Sequence, residues 1–155
     1  SECWADCASS EACAALMQAD QVDYAAVMAT AEGAAMMTCH HAGNPCGAEE
    51  LDCMSAETCA REYAAQEIGE WNITAMMANA EGNAMLTCQF ADFPCDMMAC
   101  FDDQTCTRMF ETYANSAITN VISQREDKQE LLFSLLDGWC VNPWMTSPCT
   151  ACLPA

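Results

Sequence analysis

Apolar positions along this chain recur at helical spacing, and the same arrangement returns three times. Ile73, Met77, Ala80, Ala84 and Cys88 fall three and four residues apart, the spacing of one helix face. Cys13 and Met17, Cys59 and Tyr63, and Cys106 and Phe110 are each an i, i+4 pair, so each cysteine shares a face with a bulky neighbour. Upstream of these pairs stand residues suited to start a helix. Ser9, Ser55 and Asp102 are read as caps, each preceded by an apolar residue (Ala8, Met54, Phe101) and followed by Glu11, Glu57 or Gln104. The pattern predicts a first helix at about 9–20, 55–68 and 102–118, and a second at about 22–38, 71–87 and 120–138. Gly43-Asn44-Pro45, Asp92-Phe93-Pro94 and Thr146-Ser147-Pro148 stop the second helices. No stretch alternates as a strand would. The expected class is all-α, with three tandem antiparallel helical hairpins.

The repetition is visible in the letters themselves. Positions 29–39 and 78–88 agree at eight of eleven residues, 49 apart, and Pro45-Cys46 and Pro94-Cys95 follow the two copies at equal distance. A diverged third copy ends at Trp139-Cys140 and is followed by Pro148-Cys149. A fixed period of this size marks a repeat architecture. The chain is read as one domain of three repeats, 3–46, 53–95 and 100–149, with its termini tied through Cys3 and Cys152. Gly33, Gly82 and Ser134 stand six residues before the third cysteine of each unit. Glycine within a helix costs about 1 kcal/mol relative to alanine, so its recurrence implies close packing against the partner helix.

Fourteen cysteines in 155 residues, about 9%, imply a disulfide scaffold and an oxidising compartment. Units this small need such staples. In an antiparallel hairpin the start of the first helix lies beside the end of the second, which pairs Cys13–Cys39, Cys59–Cys88 and Cys106–Cys140. Outer staples Cys7–Cys46, Cys53–Cys95 and Cys100–Cys149 would enclose these, leaving Cys3–Cys152 to join the ends. The rival scheme links neighbouring units, for instance through Cys46 and Cys53.

The net charge of −19, from 23 acidic and four basic residues, argues against nucleic acid and anionic membranes as partners. It suits solubility in a crowded compartment or attraction to a basic partner. No apolar run has the length of a membrane span. The abrupt start at Ser1-Glu2-Cys3 implies that a targeting segment has been removed.

The nested cysteine layout resembles the stapled helical hairpins of α-hairpinins and of CHCH proteins, although the spacings here are five and six residues. The abundance of alanine, methionine and cysteine is similar to that of cysteine-rich lumenal proteins of algae with red-derived plastids. That second resemblance implies a small lumenal linker subunit in a photosystem–antenna assembly, and hence a thylakoid lumen. An extracellular location is the alternative.

Candidate chemistry is sparse. His40-His41 is the one histidine cluster, and its place between Cys39 and Cys46 reads as a solvated turn. Cys149-Thr150-Ala151-Cys152 has redox-motif spacing without the strand–helix setting that such a motif requires. The methionine pairs Met36-Met37, Met76-Met77 and Met97-Met98 permit a copper reading, but adjacent residues cannot both face one side of a helix. Asn72-Ile73-Thr74 is a glycosylation sequon. No cofactor and no catalytic constellation is expected. Unit three has exchanged the Ala-Glu-Gly signature for Leu132, Phe133, Leu136 and Trp139, then added Trp144 and Met145. Exposed Trp and Met characterise interfaces, so these six are the expected partner surface. The functional expectation is a non-catalytic scaffold or linker subunit, bound to protein partners in a large complex that includes photosystem or antenna subunits. The alternatives are a secreted carrier of a lipid or apolar ligand, as in elicitins and saposins, and a metal-handling protein.

Overall fold

The computed structural model describes residues 2–93 and 95–122. Within them the chain is all-helical and disulfide-rich. After a 3-10 turn at Glu2–Trp4 come α1 (Ala5–Ala8), α2 (Glu11–Met17), α3 (Tyr24–Met28) and α4 (Ala31–His41). The order then repeats as α5 (Gly47–Ser55), α6 (Glu57–Glu67), α7 (Ile73–Met77) and α8 (Ala80–Gln89). It starts a third time with α9 (Met97–Asp102) and α10 (Gln104–Ile122).

Two features of this order differ from the sequence reading. The first is that each cysteine pair spans a corner between two helices. Cys7, Cys53 and Cys100 lie in α1, α5 and α9, and Cys13, Cys59 and Cys106 in the helices that follow. At each corner one residue is extended: Ser10 (φ −103°, ψ 116°), Ala56 (−94°, 120°) and Asp103 (−100°, 120°). Ser10 accepts from the Cys13 amide and Asp103 from the Cys106 amide, so the caps sit one residue later than Ser9 and Asp102. Ser9 and Ser55 instead donate to the carbonyls of Asp6 and Leu51 in the preceding helices.

The second difference is that the predicted helices at 22–38 and 71–87 are each broken in two. Thr30 turns extended (φ −91°, ψ 144°), and its hydroxyl accepts from the Gly33 amide to start α4. Asn79 makes the equivalent break before α8. Here lies the reason for the recurrent glycine. A Cβ on Gly33 would stand 2.1 Å from the Val27 carbonyl oxygen, and one on Gly82 would stand 2.2 Å from that of Met76. Both glycines admit the backbone of the short helix just before them, not that of a hairpin partner.

The breaks redirect the chain and with it the disulfides. After its bend, α4 returns to pack on α1 and the N-terminal turn, and α8 likewise packs on α5. Cys39 therefore meets Cys3 (Cα–Cα 5.5 Å) and Cys88 meets Cys46 (5.8 Å). The corner pairs Cys7–Cys13, Cys53–Cys59 and Cys100–Cys106 bring Cα atoms to 5.1, 5.0 and 5.3 Å, within the range that a disulfide spans. The expected Cys13–Cys39, Cys7–Cys46, Cys59–Cys88, Cys53–Cys95, Cys106–Cys140, Cys100–Cys149 and Cys3–Cys152 are all displaced, because each contains a cysteine bonded elsewhere. Cys95 is also disulfide-bonded. The disulfide-closed spans run 3–39 and 46–88, so Cys46 of the first Pro-Cys pair is bonded into the second span.

Successive modules join in a repeated way. Helix α3 packs on α6, and α7 packs on α10; α4 also packs on α5. The core runs through these joints. Val27, Met36, Met54, Ile73, Met85, Leu86, Met97 and Phe110 are buried, and Phe90, Phe101 and Phe110 form edge-to-face contacts with centroids 5.1–5.8 Å apart. Met36 and Met37 are both buried, because α4 is covered on more than one side. Met77 and Met98 are partly buried against the core. The methionines described here are packing residues.

Candidate functional site

The joint between the first two modules carries the most polar chemistry among the described residues. Glu50, in the first turn of α5, is buried at 5% exposure. Three side chains converge on its carboxylate. His41 Nδ1 at the end of α4 lies 2.6 Å from Oε2, Asn44 Nδ2 donates to the same oxygen at 2.8 Å, and Gln89 Nε2 at the end of α8 donates to Oε1 at 2.8 Å. Asn44 is itself positioned by accepting from the Cys46 amide. The Cys46–Cys88 disulfide ties the same two segments covalently. Burial pushes the Glu50 carboxyl up, but the hydrogen bonds from His41, Gln89 and Asn44 outweigh it and hold the group below the usual carboxylate range. His41 is thus part of a buried node and not a solvated turn, while His40 beside it is exposed. Gly47 admits this crossing, since a Cβ there would lie 2.4 Å from the His41 carbonyl oxygen.

A second contact at the same joint fixes α3 on α6. Tyr24 donates to Glu67 at 2.5 Å, and its ring stands edge-on to Tyr63 with centroids 5.2 Å apart. Burial, then the Glu67 charge, raises the Tyr24 phenol far above its ordinary range. Beside this pair a cleft of about 350 Å³ opens between the α2–α3 connection and α6. Its walls include Val22, Tyr24, Ala60 and Ala64, and Asp23, Glu57 and Arg61 also line it.

The next joint is closed differently. Trp71, immediately before the α7 cap Asn72, is 5% exposed; its ring lies 5.5 Å from Phe110 of α10 and its indole donates to the Gln66 carbonyl. Asn115 accepts from the Trp71 amide at 2.7 Å and Glu111 from the Ile73 amide at 2.6 Å.

Other sequence candidates are dispersed. Asn72 is exposed and caps α7 by accepting from the Ala75 amide, which accounts for the residue without a glycan. Among the described residues no group of three or more His, Cys, Asp or Glu could hold a metal, and no helix is long and apolar enough to cross a membrane. The predicted partner surface (Leu132, Phe133, Leu136, Trp139, Trp144 and Met145) and the Cys149/Cys152 motif lie outside the described residues. Glu50 and Gln89 escaped the sequence reading. Their one signal was an acid just after Pro45-Cys46-Gly47, following an Asx-type turn residue at Asn44.

Comparison with protein-family models, with curated proteins and with solved structures found no match. What is established over the described residues is the class: all-helical, disulfide-stapled and built from repeated elements.

Proposed function

We propose that this protein is a non-catalytic scaffold or linker subunit of a larger assembly in an oxidising compartment, with a photosystem–antenna supercomplex on the thylakoid-lumen side as the specific case. The observation that supports it is the way the first two modules are joined. The Glu50 carboxylate, which takes His41 from the end of α4, and the Tyr24–Glu67 bond fix one module on the next, while the Cys46–Cys88 disulfide closes the second module beside them. Repeat stacks fixed in this manner present extended surfaces, and binding is their ordinary use. The strong negative charge suits a basic partner. A carrier for an apolar ligand would need an apolar chamber, whereas the cleft at the first joint has Asp23, Glu57 and Arg61 on its wall.

The experiment is native purification from source membranes under mild detergent. The expected result is co-migration with a large membrane complex. Migration as a free small protein, or a stoichiometric lipid in its organic extract, would overturn the reading. Within such a complex, Leu132, Phe133, Leu136, Trp139, Trp144 and Met145 are the proposed contact residues. Trp144→Ala should weaken association by about 2 kcal/mol or more and leave the melting temperature unchanged, as truncation of an aromatic anchor does.

A further inference from the structure

The two described joints follow one plan and differ in the side chains placed in it. Val22 and Trp71 occupy the same repeat position, each directly before the helix cap, Asp23 or Asn72. Counted from the second cysteine of each pair, Ala64 and Glu111 also correspond, being five residues beyond Cys59 and Cys106. At the second joint the large side chain is internal: Trp71 is buried against Phe110, and Glu111 reaches back to the Ile73 amide. At the first joint the corresponding Val22 and Ala64 are small, and both line the cleft of about 350 Å³. Its tyrosine wall is held by Glu67 and Tyr63. A cleft of that size is at the lower end for a ligand pocket and suits one large side chain with its neighbours.

We propose that this cleft is a docking pocket for a partner protein segment that inserts one bulky aromatic side chain flanked by Lys or Arg. The aromatic is what the molecule itself places at the equivalent position of its second joint. The flanking cations follow from charge. Asp23 and Glu57 line the cleft, and Arg61, 3.8 Å from Glu57, is its only cation in a chain of net charge −19. Rigid walls reduce the ordering cost of such an insertion, and a buried aromatic anchor is the usual source of affinity in an interface. The proposal rests on the scaffold reading, since it assigns one contact of such a subunit.

The test uses the purified full chain and two blocked peptides, Gly-Lys-Trp-Lys-Gly and Gly-Lys-Ala-Lys-Gly, followed by NMR. The tryptophan peptide should shift the Ala60 and Ala64 signals and bind at least about tenfold more tightly than the alanine peptide. Val22→Trp, which copies the second joint, should fill the cleft from within and weaken that binding about tenfold. Equal binding of the two peptides would mean charge attraction alone and would overturn the pocket. Shifts confined to other residues, or full binding to a folded Val22→Trp, would do the same. Should that variant not fold, the mapping on the native chain decides by itself. Failure here leaves co-migration with a large complex intact, so the two readings fail separately.

Discussion

At the scale of single residues, Glu50 is the clearest case of a side chain whose surroundings determine its charge. Its folded carboxyl is held below its ordinary value of 4.5, so the stability it contributes is present above that value and lost as pH falls through the lower one. Glu50→Gln replaces a charged acceptor of three donors by an amide, and should cost about 1–3 kcal/mol at neutral pH. The gap between variant and native protein in denaturant melts should then shrink once pH drops below about 4.5, in the direction that linkage requires. A gap constant with pH would mean that the carboxylate is not ionised in its node. Glycine offers a second test. On an open helix Gly82→Ala would gain about 1 kcal/mol. Here the added Cβ meets the Met76 carbonyl at 2.2 Å, so thermal denaturation should show a loss instead.

At the scale of elements, the helical period and the repeat were legible, and the breaks were not. The Ile73–Cys88 stripe reads as one helix because i, i+4 spacing persists across Asn79, and periodicity does not register a one-residue turn that leaves the face unchanged. The local signal was chemical: Thr30-Ala31-Glu32-Gly33 begins with a residue able to cap, and the structure uses it. This bend decides the pairing, since a straight second helix would carry Cys39 toward Cys13, and a bent one delivers it to Cys3. The first-joint node was hidden for a related reason. His41, Glu50 and Gln89 come from the ends of three helices, so no local spacing connects them. Closed-span length predicts how much each staple contributes. Replacing both cysteines of Cys46–Cys88, 42 residues apart, should cost about 4 kcal/mol, and those of Cys53–Cys59, six apart, about 2 kcal/mol. Chemical denaturation of the two double Ser variants would measure the difference, and equal losses would refute the chain-entropy account.

At the scale of the whole molecule, the modules repeat their connectivity and vary their joints. In the first two, a corner pair lies inside the span of a long pair: 7–13 within 3–39, and 53–59 within 46–88. The third opens with Cys95 and the Cys100–Cys106 corner pair. By the same order, a non-reduced digest should release the Cys95 peptide joined to the one bearing Cys140, the cysteine that ends the third sequence copy. Recovery of Cys95 joined to Cys149 or Cys152 would show that the rule stops after two modules. The joints differ because they are built from side chains outside the shared signature: His41 and Glu50 at one, Trp71 and Asn115 at the next.

The separateness of the two long spans bears on how the chain acquires its bonds. Every cysteine between residues 3 and 39 is paired within that span, and every cysteine between 46 and 88 within the other. A polypeptide entering an oxidising space amino end first can therefore finish one module before the next arrives. Within a module the order matters: Cys3 emerges first but must wait for Cys39, while Cys7 and Cys13 pair at once across their corner. An oxidant that joined cysteines strictly as they appeared would link Cys3 to Cys7 and strand the rest. Correct pairing in this module thus calls for the α1–α2 corner to fold ahead of oxidation, and the helix start at Ser10 is what sets that corner.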